Sequence, residues 1–313
     1  MERIICVVGP TAAGKTALAV QLALELDGEV LSCDSMQIYR GLSIGTAAPT
    51  AAEMRGVPHH MLGVVSPEED YSVSRFVQTA DPILRDILAR GRTAVLCGGT
   101  GLYIDSLMAG RSFAPAPSAG CRERLERMAD EQGIEAVLER LAAVDPESAA
   151  RLHPSNRRRI LRAAEIYLET GETMTEHDRR TRNQPPRYQG VWLGLDFAER
   201  AGLWRRIERR IDQMLAGGLE EEVRSLLDAG VPRSATCMQA IGYKELIACL
   251  DGRETLAQAR EAIICGTRRY AKRQRTWFRR NEGVHWIMQR EPSDFSQVLS
   301  EARRVLTQFD TSL

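Results

Sequence analysis

The sequence predicts an α/β fold, a P-loop NTPase-like parallel-sheet core carrying an inserted helical domain, and three observations support it. A β-branched run, Ile4–Val8, leads directly into a glycine turn and then a helical pattern. Further short apolar runs alternate with helical spacing as far as residue 112. Between a proline-containing stretch at 113–117 and residue 188 the pattern is helical throughout. Strand, glycine turn, helix, strand describes an open sheet whose ligands sit at the carboxyl ends of its strands.

Taken in order, Ile4–Val8 suits a buried parallel strand, because a continuous β-branched run is what a strand covered on both faces needs. From Lys15 the spacing becomes helical, with Leu18, Leu22 and Leu26 on one stripe. A second strand is predicted at 29–33, a helix at 74–89 and a third strand at 93–97. Phe113, Ala114, Pro115, Ala116 and Pro117 read as a linker, followed by helices at 118–132, 134–144 and 156–169. A polar stretch at 179–186 then precedes a strand at 191–195, and 199–305 is predicted to be helical again, with no internal repeat. The expected domains are therefore 1–112 with 189–313 as the core and 113–188 as the helical insert.

Acidic and basic residues balance at 42 each, which would argue against a nucleic-acid partner if the charge were evenly spread. It is not: Lys15, Lys244 and Lys272 are the only lysines, and arginines crowd into 151–162 and 268–280. Arginine's planar fork suits phosphates, so local patches matter more than net charge. The seven cysteines form no CxxC pair and read as reduced, mostly buried side chains. No apolar run approaches the length of a membrane span, so a cytoplasmic protein with no membrane partner is expected. A monomer is also expected.

Gly9, Pro10, Thr11, Ala12, Ala13, Gly14, Lys15 and Thr16 match GxxxxGK[ST] between a strand and a helix. Such a loop aims several backbone N–H groups at one anion, and the lysine and the helix dipole add to the attraction. Thr16 is the expected Mg²⁺ ligand. The loop alone leaves open whether the phosphates belong to a nucleotide or to another diphosphate. Asp34 ends the second predicted strand, and two roles compete for it, magnesium ligand or general base. Thr100 lies in Gly98, Gly99, Thr100, Gly101 after the third strand, where a hydroxyl could meet a leaving group, although a plain strand-to-helix turn explains it equally well. His59 and His60 are neighbours on an extended segment, so they point to opposite faces and read as loop packing.

Residues 263–280 form a strong helix candidate with an unusual face. Arg268, Lys272, Arg275 and Arg279 follow helical spacing, Arg269, Arg273 and Arg280 widen the stripe, and no acid lies between Thr267 and Asn281. Tyr270 and Trp277 stand two turns apart on one side, where rings beside arginines can stack bases while the charges meet phosphates. Asn156, Arg157, Arg158, Arg159 and Arg162 supply a second basic patch.

Together these stretches resemble the tRNA dimethylallyltransferase (IPP transferase) family, which prenylates an adenosine next to the anticodon. The blocks are GPTAAGKT at 9–16, DSMQIYRGLSIGTAAP at 34–49, GVPHHML at 56–62, GGTGLY at 98–103, NRRRILRA at 156–163, MLAGGLEEEV at 214–223, QAIGYKE at 239–245 and KRQRTWFRR at 272–280. The resemblance implies that the loop holds dimethylallyl diphosphate with Mg²⁺, that no ATP is hydrolysed, and that the partner is a tRNA anticodon stem-loop. It further implies that Asp34 deprotonates the adenine N6 amine and that Thr100 sits near the bridging oxygen. Arg206 and Arg210 become candidates for the diphosphate, and Ser35, Met36 and Gln37 for the flipped base. Implied tRNA contacts are Arg122, Arg158, Arg159, Ile160, Leu161 and Arg162 in the insert, then Gln239, Ala240, Ile241, Gly242, Tyr243 and Lys244. Lys272, Arg273, Gln274, Arg275, Thr276, Trp277, Phe278, Arg279 and Arg280 complete them. The chain departs from the family's pattern at Ser43, Ala48 and Gly63.

Three other functions use parts of the same pattern. A small-molecule kinase explains the phosphate loop but leaves the arginine-aromatic helix unexplained. A nucleic-acid-dependent NTPase uses both, yet the strand before Gly98 lacks the usual acid pair. A prenyltransferase acting on free adenine nucleotides shares the chemistry, but has no use for a long insert and a basic helix.

Overall fold

The computed structural model describes residues 4–111, 113, 119–182 and 185–310. Six parallel strands, β1 (Ile4–Val8), β2 (Gly28–Ser32), β3 (His59–His60), β4 (Thr93–Cys97), β5 (Val191–Phe197) and β6 (Val284–Gln289), form one sheet. Their order is β3-β2-β4-β1-β5-β6. Every residue of β1, β2 and β4 is buried, which is why these segments read as near-continuous apolar runs. β1 and β4 lie side by side at the centre, so the loops that follow them, 9–14 and 98–100, leave the same end of the sheet. The loop after β2, which carries Asp34, emerges beside them. Three loops of predicted functional interest thus converge because three neighbouring parallel strands end there.

The predicted elements of the core fall close to the observed ones, with helices at Lys15–Glu25 and Val73–Ala89 and a fifth strand two residues longer than expected. Two expectations need correction. The 199–305 region is not wholly helical, because β6 extends the sheet beside β5. His59 and His60 do not lie in a loop but form β3, paired with Val30 and Leu31 at the sheet edge. His60 Nε2 meets the buried Glu29 at 2.7 Å, while His59 Nδ1 meets the Val57 carbonyl at 2.8 Å.

The chain divides into two compact units, Met1–Met108 with Tyr188–Leu313, and Ala109–Arg187. The second unit is helical, with Ala119–Glu131, Ile134–Val144, Pro146–Arg151, Arg157–Thr170 and Met174–Arg182. Its own small core includes Leu125, Val137, Ile160 and Leu161. Two of these helices, Pro146–Arg151 and Met174–Arg182, were not predicted, and the second replaces the start of the expected polar stretch at 179–186. Asp145 caps the first through Ser148 N and also accepts from Thr175, which begins to explain both. Of the expected linker, Ala114, Pro115, Ala116 and Pro117 lie outside the described residues.

Candidate active site

The phosphate loop is held from behind by side chains distant in sequence. Arg206 Nε donates to the Ala12 carbonyl at 2.9 Å, and Gln289 Nε2, at the end of β6, donates to the Ala13 carbonyl at 2.9 Å. Thr11 N–H donates to Gln274 Oε1 at 2.8 Å, and Gln274 Nε2 in turn donates to the Gly99 carbonyl at 3.0 Å. A Cβ at Gly99 would collide with the Gln274 amide, so the glycine is what lets the two loops share one clamp. Gly14, with φ of 88°, turns the chain into the Lys15–Glu25 helix. These bonds fix the loop's curl before any ligand arrives.

Lys15 Nζ donates to the Pro10 carbonyl at 2.8 Å. Burial is the largest influence on this ammonium and lowers its pKa to about 8, with Arg210 adding to the depression. Arg210 is itself pulled below its ordinary value by burial, and Asp34 and Glu53 oppose that shift. Two half-buried cations therefore stand together at the wall of a polar cavity, next to a loop of N–H donors. Such a place stabilises an anion.

Asp34 Oδ1 accepts from Met36 N at 2.8 Å and Gln37 N at 3.3 Å, forming a tight local turn. Among the described residues no protein donor takes Oδ2. Thr100 Oγ1 accepts from Ser35 N at 3.1 Å, which brings together the two positions expected to act on the substrate. Tyr270 joins them: burial pushes its hydroxyl well above the usual phenol range, Asp34 acts in the same direction, and the neighbouring Thr100 and Gln274 side chains act against it. Its half-buried ring lines both cavities beneath Arg273, whose guanidinium is 5.6 Å from the ring centre.

Two cavities meet along Thr11, Ala12, Asp34, Thr46, Arg210, Met214 and Tyr270, which line both. The polar one, about 650 Å³, is lined by Lys15, Thr16, Arg206, Arg209 and Arg210 among others. The second, about 270 Å³, has an apolar wall of Ile207, Ile211, Met214, Leu219 and Ile263 and includes Ser35, Met36 and residues 239–242. Thr16 and Asp34 offer hard oxygen ligands to the polar cavity, and no cluster of three metal-binding side chains exists among the described residues. That donor set fits Mg²⁺, which takes few protein ligands and completes its shell with water and phosphate oxygens.

The basic helix, Leu256–Phe278, divides its residues differently from the predicted stripe. Arg268 pairs with Glu208, and Arg275 Nε reaches the fully buried Asp196 at 2.7 Å, so these two are anchors of the helix and not part of a free charged face. Gln274 and Phe278 are buried, and Trp277 Nε1 donates to Asp105 at 2.8 Å. The exposed face consists of Arg269, Lys272, Arg273, Thr276, Arg279 and Arg280. Other predicted contact positions are also turned inward. Ile160, Leu161 and Tyr243 are packed in cores, where their side chains cannot reach a partner. Arg122 and Arg162 both pair with the buried Glu165, leaving Arg158 and Arg159 exposed on that helix. Gln239 and Lys244 are exposed, and Gln239, Ala240, Ile241 and Gly242 line the apolar cavity. Sequence inspection missed Tyr270 as a wall residue and Gln289 as a loop support. Only the unusual tyrosine among arginines hinted at the first; nothing local marked the second.

The IPP transferase family profile matches residues 37–281, and an isopentenyl transferase profile matches residues 2–63. The chain is 48% identical to a tRNA dimethylallyltransferase of Geobacillus thermodenitrificans over 97% of its own length and 96% of the relative's. Among solved structures it is similar to the full-length tRNA isopentenylpyrophosphate transferase of Bacillus halodurans, with a TM-score of 0.74 and 41% identity, covering 98% of this chain and 96% of that one. It is also similar to a eukaryotic dimethylallyltransferase solved acting on tRNA, with a TM-score of 0.85 and 26% identity, covering 100% of this chain and 80% of that one.

Proposed function

The chain belongs to the IPP transferase family, whose members modify tRNA by prenyl transfer, and from that premise we propose that it moves a dimethylallyl group from dimethylallyl diphosphate to N6 of the adenosine 3′ to the anticodon. The supporting observation is the junction of the two cavities at Asp34. The phosphate loop opens beside an apolar-walled space, and a carboxylate oxygen with no donor among the described residues stands where they meet. A nucleotide kinase would need a polar acceptor site there, whereas a prenyl diphosphate has one charged end and one greasy end.

In this reaction the N6 amine attacks C1 of the allylic donor, the C1–O bond breaks, diphosphate leaves with the bonding pair, and the amine proton passes to Asp34 Oδ2. Lys15, Arg206, Arg210 and the loop N–H groups of 12–16 stabilise the charge growing on the diphosphate, an electrostatic contribution commonly of several kcal/mol. Thr100 lies near enough to Ser35 and Tyr270 to orient a bridging oxygen or the base. Mg²⁺, held by Thr16, would neutralise further charge on the leaving group. The exposed face of the basic helix, with Arg158 and Arg159 of the helical unit, grips the RNA backbone and offsets the few kcal/mol needed to extrude the adenine.

Incubating the purified protein with unmodified tRNA, dimethylallyl diphosphate and Mg²⁺ should add one dimethylallyl group to that adenosine without consuming ATP, as read by nucleoside mass spectrometry. ATP turnover without transfer would refute the assignment, and preference for AMP over tRNA would move it to the nucleotide-modifying relatives.

A further inference from the structure

Three sequence blocks with no part in the steps just described, 43–46, 214–223 and 239–245, meet at one carboxylate. Glu222 Oε2 accepts from Ser43 N and Ile44 N, both at 2.8 Å. Its Oε1 accepts from Gly45 N at 3.0 Å and from the Tyr243 hydroxyl at 2.5 Å. Three successive backbone N–H groups aimed at one point form an anion-binding nest, and here a side chain from the Leu219–Asp228 helix fills it. Four donors are satisfied by two oxygens, which only an acceptor-only carboxylate can provide. Tyr243 is fully buried, and a Cβ at Gly45 would strike its ring, so the loop and the tyrosine are in close contact.

The two segments tied together are both walls of the apolar cavity. Gly45 and Thr46 line it from one loop, and residues 239–242, immediately before Tyr243, line it from another. The first loop is also tethered toward the acid, because Gln37 Nε2 donates to the Thr46 and Ala47 carbonyls at 3.2 and 3.1 Å. Glu222 and Gln37 thus hold the loop at both ends, with Asp34 three residues before Gln37.

We propose that Glu222, acting through Tyr243 and the 43–45 amides, is a positioning residue that sets the spacing of these two loops and so holds the acceptor base against Asp34. The inference rests on the prenyl-transfer function above. It is tested with Glu222→Gln and Tyr243→Phe in the full chain, measuring donor-binding stoichiometry and affinity, KM and kcat on an anticodon stem-loop, and hydrogen exchange of the 43–45 amides. The amide of Glu222→Gln turns a donor toward donors, whereas Tyr243→Phe removes one hydroxyl and leaves the nest filled. For Glu222→Gln the expected result is donor binding within twofold of wild type, kcat/KM on the stem-loop reduced tenfold or more with a raised KM, and tenfold faster exchange at 43–45. Tyr243→Phe should show the same pattern, at about threefold. A merely structural role would lower donor stoichiometry and turnover together and leave KM unchanged. That result, or wild-type KM and turnover in both variants, overturns the proposal. If Glu222→Gln does not fold, the stem-loop KM of Tyr243→Phe decides alone. Should the wild-type chain transfer nothing to the stem-loop, the functional assignment fails, and the exchange rates still report separately whether Glu222 holds the loop.

Discussion

Asp34 uses one carboxylate oxygen to close a turn and, under the proposed function, keeps the other for chemistry, and that division makes a clean test possible. Oδ1 closes the turn at Met36 and Gln37, and an asparagine keeps an oxygen for those bonds while losing the ability to take a proton. Asp34→Asn should therefore fold normally and bind tRNA normally, with kcat reduced by about 10²–10⁴-fold, the usual contribution of a general base. Steady-state kinetics with a melting curve check this, and an undiminished kcat would remove Asp34 as the base. Lys15 gives a second test at this scale. Its pKa, lowered by burial to about 8, means the empty site holds its charge below that pH and loses it above. A bound diphosphate favours the charged form, so donor affinity should be constant below pH 8 and fall as pH rises through it, by roughly tenfold one unit higher. Lys15→Arg, which cannot deprotonate there, should flatten the profile whatever its absolute affinity. A wild-type affinity that does not change between pH 7 and 9 would contradict this account of Lys15.

The Leu256–Phe278 helix shows at the scale of an element why charge pattern alone misassigns residues. Every arginine in 268–280 reads alike in sequence, but the carboxyl end of the sheet decides their roles, because Asp196 near the end of β5 is fully buried and takes Arg275. Arg275→Ala would leave that charge with only its longer, 3.7 Å contact to the exposed Arg279 and should cost about 3 kcal/mol of stability. Lys272→Ala with Arg273→Ala removes two exposed charges, the second of which also covers the Tyr270 ring at the rim of the apolar cavity. It should leave the melting temperature nearly unchanged and weaken tRNA binding, lowering the salt-dependence slope by roughly one for each charge removed. If the double variant melted early and kept its salt slope, the assignment of faces would be reversed. The same contrast explains what sequence could show. β1 and β4 were legible because both faces are buried, and the phosphate loop because its spacing is local. β6 was not, because an edge strand that mixes buried, half-buried and exposed residues has neither an apolar run nor a clean alternation. Gln274 and Gln289 were hidden for another reason. Their partners lie more than 170 residues away, and only the folded sheet brings them to the loop.

At the scale of the whole molecule, the chain divides into two compact units, and both cavities lie in one of them. Every residue lining the two cavities belongs to the unit of Met1–Met108 and Tyr188–Leu313, while the unit of Ala109–Arg187 buries its own cluster around Leu125, Val137 and Ile160. A ligand stabilises only what it binds, by about 2.7 kcal/mol at a hundredfold excess over its dissociation constant. Dimethylallyl diphosphate with Mg²⁺ should therefore raise the unfolding transition of the α/β unit and leave that of the helical unit where it was. An anticodon stem-loop should raise both if, as proposed, the exposed Arg158 and Arg159 of the helical unit meet its backbone. Calorimetry, with hydrogen exchange to assign each transition, separates the two cases. Equal shifts of both transitions with donor alone would show that the units unfold as one. A helical unit unmoved by the stem-loop would mean that those two arginines face solvent and that the RNA is held by the α/β unit alone.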